Sequence, residues 1–467
     1  MMEKQTNLFK TGSRCRICTG CGKCFGKKKM DAVSAFRGGP AEETEEAERY
    51  TMGEGAPVQK SGEPKKTQGN GGCMVAVDIG TTTVVMQLRS LQDGNILDTF
   101  TCLNPQGKYG ADVLSRIEAA GKPQIKEAMC REIRETLQMG IAQFGQTLAN
   151  HTRWLQQDAE GESDLSRKNG AETMEICEIA IAANTTIVHL LMDLDVSLLG
   201  QYPFQPETLS ELRTNLFGIP AVILPGISAF VGADIFAGIY ALSMHKRQEI
   251  TLLLDLGTNG EMVLGNRERL MATATAAGPA FEGNADCYGT DLMALAARLL
   301  DEGLLDETGL LADPYFEEGI DIGGVRLTQN YVRQLQMAKA AICTGIRILC
   351  EKYGLQTLSQ IDKVFLAGGM GYYLNPVAAA RIGLLPAELA GKTMAVGNAA
   401  LEGAFLYGRQ ILRSEVGAAG GVLLPQREVG SASAMNELPF QVEVFNLAEE
   451  PQFSECYIQE MHFPAEG

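Results

Sequence analysis

Val77-Asp78-Ile79-Gly80-Thr81-Thr82-Thr83 and Leu254-Asp255-Leu256-Gly257-Thr258-Asn259-Gly260 are two copies of one pattern, an apolar run that ends in an acid, a glycine and a hydroxyl residue. Each copy predicts a buried strand with a carboxylate at its end, and the glycine lets the following turn approach a ligand closely. Two such turns facing each other would offer N–H groups and hydroxyls to phosphates, and carboxylates to the water shell of Mg²⁺. The repeat therefore predicts a nucleotide bound between two similar halves.

The segments that follow each copy also repeat. Strand 74–79 leads into a second strand and a hairpin turn at Asp93-Gly94, and strand 251–256 leads into another with a turn at Gly265-Asn266. Helices alternate with these strands, because apolar residues recur every three or four positions from Ile125 to Leu148 and from Leu335 to Tyr353. This alternation predicts an α/β fold.

A third glycine turn follows a further strand. Val364-Phe365-Leu366-Ala367 is apolar and precedes Gly368-Gly369-Met370-Gly371. Such a turn leaves room for an adenine ring or ribose to bind. The alternative interpretation is a tight strand–helix corner that serves only packing. We favour the ligand-binding interpretation because all three turns fall at strand ends.

Length and charge restrict the class of protein. The chain has 467 residues, enough for two or three domains, and 45% of them are hydrophobic, which is typical of a globular protein. Its net charge of −17 argues against nucleic acid or an anionic membrane surface as a partner. No apolar run reaches the roughly 18 residues of a membrane span, and the N-terminus lacks the apolar core of a signal peptide. We therefore expect a cytoplasmic protein.

Cys15, Cys18, Cys21 and Cys24 form the second strong signal. Thiolates at this spacing can surround an iron–sulfur cluster, and bacterial-type ferredoxins use a similar run whose fourth cysteine serves another cluster. No second run is present, so either all four cysteines hold one cluster or the fourth ligand comes from elsewhere, Cys73 being a candidate. The alternative is a Cys₄ zinc site. We favour an iron–sulfur cluster, with 4Fe–4S ahead of 2Fe–2S.

The remaining cysteines and one histidine have plainer interpretations. Cys343 and Cys350 share a helix face, and Cys177 lies in an apolar strand, so we expect small core residues there. His189 follows Asn184, a candidate helix cap, and we expect it to be structural.

The chain divides by composition. A polar stretch at roughly 156–173 predicts a surface insertion, and few apolar residues with many charges make 31–72 a linker. The predicted units are a Cys-rich iron–sulfur segment (1–30), a flexible acidic linker (31–72), two halves of a nucleotide-binding core (73–250 and 251–415), which the resemblance described next implies to be an actin-like ATPase, and a C-terminal extension packing on the core (416–467).

The three glycine turns resemble the phosphate-1, phosphate-2 and adenosine motifs of the superfamily of actin, sugar kinases and heat-shock chaperones. Within it, the chain most resembles the reductive activators of corrinoid proteins. Five stretches carry this closer match: Asn184–Leu191, Pro203-Phe204, Val231–Asp234, Gly278–Gly283 and Val396–Ala404. The C-terminal stretch from Pro451 to Pro464 is similar too. The resemblance covers roughly 74–467 and implies duplicated actin-like halves that bind ATP and Mg²⁺.

The resemblance also implies roles for single residues. Asp78 and Asp255 would hold Mg²⁺ through water or orient the attacking water, and Asp234 would position the hydrolytic water, its alternative being a helix N-cap. The residues that would contact the nucleotide are Gly80, Thr81, Thr82, Thr83, Gly257, Thr258, Asn259, Gly260, Gly278, Gly368 and Gly369. The cluster ligands would be Cys15, Cys18, Cys21 and Cys24.

The implied activity is ATP-dependent transfer of one electron from the cluster to the Co(II) centre of a corrinoid protein or methyltransferase, which restores Co(I). The electron donor is not indicated, and the family suggests a homodimer. The N-terminus departs from the family, which usually carries a plant-type 2Fe–2S domain on a region of more than a hundred residues. Two alternative functions rank below this one. The first is an activator of another low-potential metalloenzyme, such as an acyl-CoA dehydratase, and the second is a small-molecule kinase or nucleotide sensor with a zinc knuckle.

Overall fold

A computed structural model describes residues 72–160, 174–278, 280, 289–322, 325–368, 374–418 and 440–465. The predicted Cys-rich segment and most of the linker lie outside these residues. The strands are β1 (Cys73–Ile79), β2 (Thr83–Ser90), β3 (Ile96–Leu103), β4 (Ile176–Ala183), β5 (Leu212–Leu216), β6 (Ile219–Ile223), β7 (Thr251–Leu256), β8 (Asn259–Gly265), β9 (Leu270–Ala276), β10 (Ile320–Ile322), β11 (Val325–Leu327), β12 (Lys363–Ala367), β13 (Thr393–Gly397) and β14 (Glu443–Val444).

The α-helices are α1 (Val113–Ala120), α2 (Pro123–Glu160), α3 (Thr185–Met192), α4 (Ala233–Ala241), α5 (Gly289–Asp301), α6 (Tyr315–Glu318), α7 (Gln329–Tyr353), α8 (Pro376–Arg381), α9 (Ala387–Ala390), α10 (Ala399–Ala418) and α11 (Phe453–Glu460). Helix α2 continues through 156–160, the first residues of the predicted polar insertion, and the rest of that insertion up to 173 lies outside the described residues. None of the helices in these ranges combines the length and apolar character needed to cross a bilayer.

Two six-stranded sheets share one plan. The first has the order β3-β2-β1-β4-β6-β5, and the second has β13-β12-β7-β8-β9-β14. In each, an antiparallel meander of three strands (β1–β3, β7–β9) is joined by its first strand to parallel strands (β4 and β6, β12 and β13). β1 and β7 are central and almost wholly buried, which explains their near-continuous apolar sequences. The predicted α/β architecture with two similar halves is confirmed.

Helices α4 and α10 join the halves. The α4 side chains Phe236 and Ala237 pack with first-sheet residues, whereas Ile235 and Ile239 pack with second-sheet residues. Because α4 is apolar on all sides, it is buried from both directions. α10 follows β13 of the second sheet in the chain, yet it packs against β1 and β4 of the first sheet. The carboxyl ends of the parallel strands therefore meet beside these two helices, where α/β folds bind their ligands.

The C-terminal residues complete the second half. β14 adds a parallel strand to β9, and α11 packs against α7. Phe463 is 2% exposed within the second hydrophobic core, and its N–H donates to the carbonyl of Glu307 at 2.8 Å. Residues 440–465 are thus an integral part of this half.

Candidate nucleotide site

The turn after β1 is fixed by hydrogen bonds from its surroundings. The Gly80 N–H donates to the Thr83 carbonyl at 2.8 Å, and Asn104 donates through its side chain to the Gly80 carbonyl at 2.8 Å. Arg116, which is 1% exposed, donates to the Thr81 carbonyl at 2.5 Å. These hydrogen bonds fix the turn at the end of β1 in one conformation, and the buried guanidinium of Arg116 lies behind it.

The turn after β7 is the second-half counterpart. The Gly257 N–H donates to the Asn259 carbonyl at 2.9 Å, and the Gly278 N–H donates to the Thr258 carbonyl at 3.0 Å. Helix α7 supports the hairpin from beneath, since a Cβ at Gly260 would lie 2.1 Å from Cδ1 of Ile342. Glycine is therefore the residue that lets this hairpin sit directly on α7.

The two turns face each other. The hydroxyl oxygens of Thr82 and Thr258 are 3.4 Å apart, although they belong to different sheets. The facing arrangement that the repeat predicts is therefore present in the molecule.

The third turn contacts the second. Gly368 has φ +86°, and a Cβ there would lie 2.6 Å from Oδ1 of Asp255 and 2.8 Å from the Leu256 carbonyl oxygen. The left-handed backbone and the close contact both require glycine. Gly278, also predicted to contact nucleotide, has φ +74°, and a Cβ there would have no atom of the described residues within 4 Å. Gly369 lies outside the described residues.

Four carboxylates concentrate negative charge at this point: Asp78, Asp234, Asp255 and Glu261. Glu261 lies opposite Asp255 in the β7–β8 pairing. Each keeps some solvent contact, as at the floor of a crevice, yet protein atoms surround all four. Burial raises the pKa of Asp78 to about 7, against a lowering contribution from the Asn398 hydrogen bond. Burial raises the pKa of Asp234 to about 6.

Repulsion between the acids adds to burial at the other two. Burial, followed by the charges of Asp234 and Asp78, raises the pKa of Asp255 to about 8. Burial, followed by the charges of Asp234 and Asp255, raises the pKa of Glu261 well above its usual range. Burial and mutual repulsion thus oppose ionisation of these acids, and a divalent cation would favour their ionised forms, so the cluster fits a cation site. No three Asp, Glu, His or Cys side chains in the described part of the chain form a direct ligand set for a metal ion.

Asp234 lies in the first turn of α4, and its alternative role as the N-cap is wrong. The N-cap is Gly232, and Oδ1 of Asp234 accepts from the Ile235 N–H at 2.9 Å. Gly232 is tightly packed, since a Cβ there would lie 2.6 Å from Cα of Asn184. This contact brings the N-termini of α3 and α4 together beside the acids, where helix dipoles favour anions.

Sequence reasoning gave no role to Asn398, Glu261 or Arg116. Asn398 donates through Nδ2 to Oδ2 of Asp78 at 2.6 Å. The sequence indicates the helix start beside Asn398 but not its contact with Asp78. Val231-Gly232 and Val396-Gly397 are each followed at the same spacing by a glycine, Gly238 or Gly403. That second repeat marks the starts of α4 and α10.

Asn184 and His189 have separate roles. Asn184 caps α3 by accepting from the Ile187 N–H at 2.9 Å, and it donates to the Thr81 hydroxyl at 3.3 Å. His189 is fully buried, with Nδ1 2.7 Å from the Thr185 carbonyl and Nε2 accepting from the Glu207 N–H at 3.1 Å. His189 is a structural residue, as expected.

The predicted cluster ligands Cys15, Cys18, Cys21 and Cys24 lie outside the described residues. Cys73, the candidate fourth ligand, is fully buried at the start of β1, and burial raises its pKa to about 12. Cys343 and Cys350 are core residues as expected, whereas Cys177 is only partly buried.

Two similar α/β halves with opposed acid-and-hydroxyl turns define the class of actin-like nucleotide-binding proteins. Residues 73–158 and 155–247 match a family model described as "RACo middle region", and residues 249–300 and 287–467 match one described as "C-terminal domain of RACo the ASKHA domain". The chain belongs to this family of corrinoid activators.

Two relatives agree with this assignment. The corrinoid activation enzyme RamQ of Eubacterium limosum is 29% identical over 459 residues, covering 83% of this chain and 70% of RamQ. The solved structure of a reductive activator for a corrinoid, iron–sulfur protein is 28% identical, with a TM-score of 0.67, over 87% of this chain and 68% of that one.

Proposed function

We propose that this protein is an ATP-dependent reductive activator that returns the inactive Co(II) centre of a corrinoid protein to Co(I). The observation that carries the nucleotide part is the 3.4 Å approach of the Thr82 and Thr258 hydroxyls beside the four acids. The redox part rests on the family and on the four-cysteine run. The partner is a corrinoid protein or methyltransferase, by analogy with the activators that the chain resembles.

The residues at the crevice suit ATP hydrolysis. Thr81, Thr82, Thr258 and Asn259 would donate to phosphate oxygens, and Asp78 and Asp255 would hold the water shell of Mg²⁺. Asp234 would orient the attacking water. Water then displaces ADP from the γ-phosphorus, giving ADP and phosphate. Such a reaction needs little covalent assistance, so positioning and charge neutralisation carry the rate.

The redox step transfers one electron. The iron–sulfur cluster held by Cys15, Cys18, Cys21 and Cys24 would supply that electron when bound, and an external one-electron donor would replace it. For a one-electron step, each 59 mV of adverse potential lowers the equilibrium constant about tenfold. Nucleotide binding and hydrolysis can offset several tenfold losses in this equilibrium constant, because they change the stability of the complex between activator and partner.

The test has two parts. Anaerobically purified protein is analysed for metal and by low-temperature EPR before and after dithionite, and about four irons per chain with a reducible cubane signal are expected. Reduction of a corrinoid protein is then followed by its absorption spectrum with and without ATP. Stoichiometric zinc without a signal, or Co(I) formation independent of ATP, would contradict the proposal.

Matched variants separate the two activities. Replacing Cys15 and Cys18 by alanine should abolish cobalt reduction and leave ATP hydrolysis in place, whereas Asp255→Asn should lower both about a hundredfold or more. Cys456→Ala is the control, because Cys456 is a partly exposed free cysteine on α11. Loss of cobalt reduction in this control would show that the effect is not specific to the Cys-rich run.

A further inference from the structure

Asn398 occupies the junction between the second sheet and the helix that joins the halves. Gly397 ends β13 with φ +72°, and α10 begins at Ala399. Oδ1 of Asn398 accepts from the Leu401 N–H at 2.8 Å, which caps α10. Its Nδ2 donates to Oδ2 of Asp78 at 2.6 Å. One side chain therefore holds both a helix N-terminus and a carboxylate at the end of β1.

Helix α10 has little freedom to absorb a displacement at this end. A Cβ at Gly403 would lie 2.0 Å from the Ala237 carbonyl oxygen, so the backbones of α10 and α4 touch directly. Glu402, the residue before it, forms an ion pair with Arg89 of β2. A Cβ at Gly408 would lie 2.4 Å from Cε of Met74 in β1. A shift at Asn398 is thus transmitted along the helix to the first sheet.

The Asn398 side-chain amide and a hydrated cation would both bind the Asp78 carboxylate. Oδ2 of Asp78 already accepts the Asn398 hydrogen bond, so a Mg²⁺ water shell must use the remaining lone pairs or displace the amide. We propose that Asn398 is a positioning residue that couples occupancy of Asp78 by Mg·nucleotide to the position of α10, and so to the relative position of the two halves. This inference rests on the proposed function of the site.

Asn398→Asp isolates this contact. Aspartate keeps the shape and the capping oxygen for the Leu401 N–H, replaces the donor that faces Asp78 by an oxygen, and adds a negative charge there. Asn215→Asp is the matched control: it adds the same charge at an exposed position of β5 and keeps the oxygen that accepts from the Gly218 N–H at 2.9 Å. Mg·ADP affinity is measured by calorimetry, kcat and KM by ATP hydrolysis, and amide exchange of the peptide 398–406 with and without Mg·ADP.

In the wild type, Mg·ADP should change exchange in the first turn of α10. In Asn398→Asp this response should disappear and kcat should fall about tenfold or more, with Mg·ADP affinity within about threefold, because a hydrogen bond to a charged group is replaced by repulsion. The control should keep both the response and kcat. If Asn398→Asp does not fold, Asn398→Ser provides the same comparison, since serine caps the helix but is too short to reach Asp78.

Two outcomes would overturn the inference in distinguishable ways. If the wild type responds to Mg·ADP and the Asn398 variants match the control in kcat and exchange, the inference fails and the proposed function stands. If the wild type binds no Mg·ADP, both fail.

Discussion

Thr82 and Thr258 bring their hydroxyl oxygens within 3.4 Å of each other from the turns of two different sheets. The turns are positioned by separate hydrogen-bond sets, one around Gly80 and the other around Gly257. A single phosphate group at this point would therefore contact both halves of the molecule.

The first prediction concerns this pair of threonines. Thr82→Val and Thr258→Val should each weaken Mg·ADP binding about tenfold, because each removes a hydroxyl donor to phosphate. The double variant should lose less than the sum of the two, because both hydroxyls bind one group. Calorimetry measures the affinities, with Thr308→Val, at an exposed loop position, as the control. Full additivity would show that the two hydroxyls do not share a ligand.

The second prediction concerns catalysis by Asp255. Asp255→Asn should lower kcat for ATP hydrolysis about a hundredfold or more, because the neutral amide cannot hold the cation's water shell or orient water. Glu268→Gln, at the exposed turn between β8 and β9, is the control for charge loss in the same sheet. Unchanged hydrolysis and nucleotide affinity in Asp255→Asn would mean that the crevice is wrongly assigned.

The third prediction concerns pH. Burial raises the pKa of Asp78 from 3.8 to about 7 and that of Asp255 to about 8. Between these values and 3.8 the folded state holds protons that the unfolded state has released. The stabilising contribution of these groups is therefore complete below pH 3.8 and is lost as the pH rises through about 8.

Thermal unfolding measures this effect. The nucleotide-free protein should lose thermal stability between about pH 6 and pH 8, and Asp255→Asn should show a smaller loss. Mg·ADP should raise the unfolding temperature more at the higher pH, because the ionised acids bind the cation better. An equal nucleotide effect at both pH values would contradict the raised pKa values.

The fourth prediction concerns the third turn. Gly368→Ala should destabilise the protein and weaken nucleotide binding, because the new Cβ would collide with Asp255. Gly303→Ala is the matched control, since Gly303 also has a positive φ, +68°, but open space at its Cβ position. The control should lose only the strain of a left-handed alanine, about 1–2 kcal/mol in the free energy of unfolding. Equal effects in denaturant titrations would show that the Asp255 contact does not matter.

The sequence predicted those parts of the site that are formed by adjacent residues. A strand that ends in Asp-x-Gly-Thr carries its own turn, so the positions of Asp78 and Asp255 followed from a few adjacent residues. The location of Glu261 opposite Asp255 was also within reach, because a tight hairpin determines its register. It was missed because no rule of spacing distinguishes a site carboxylate from a strand residue.

The contacts of Asn398 and Arg116 depend on tertiary structure. Asn398 meets Asp78 only because α10 crosses from one half to the other, and no local pattern encodes that path. For Asp234, the preceding Val231-Gly232 suggested a cap, but glycine itself occupies the cap position and moves the acid into the first turn. Burial of Arg116 beneath the Thr81 carbonyl could not be predicted, because no local pattern distinguishes a buried arginine from the exposed arginines that are usual on helices.

The contact of Gly403 with the Ala237 carbonyl has a mechanical consequence. Side chains at a helix crossing can change rotamer and take up small movements, whereas two touching backbones cannot. The crossing of α4 and α10 would therefore act as a pivot, with Asn398 and Asp78 at one end of α10 and the first sheet packed along its length. On the proposed coupling, a displacement of a fraction of an ångström at Asn398 would rotate one half relative to the other.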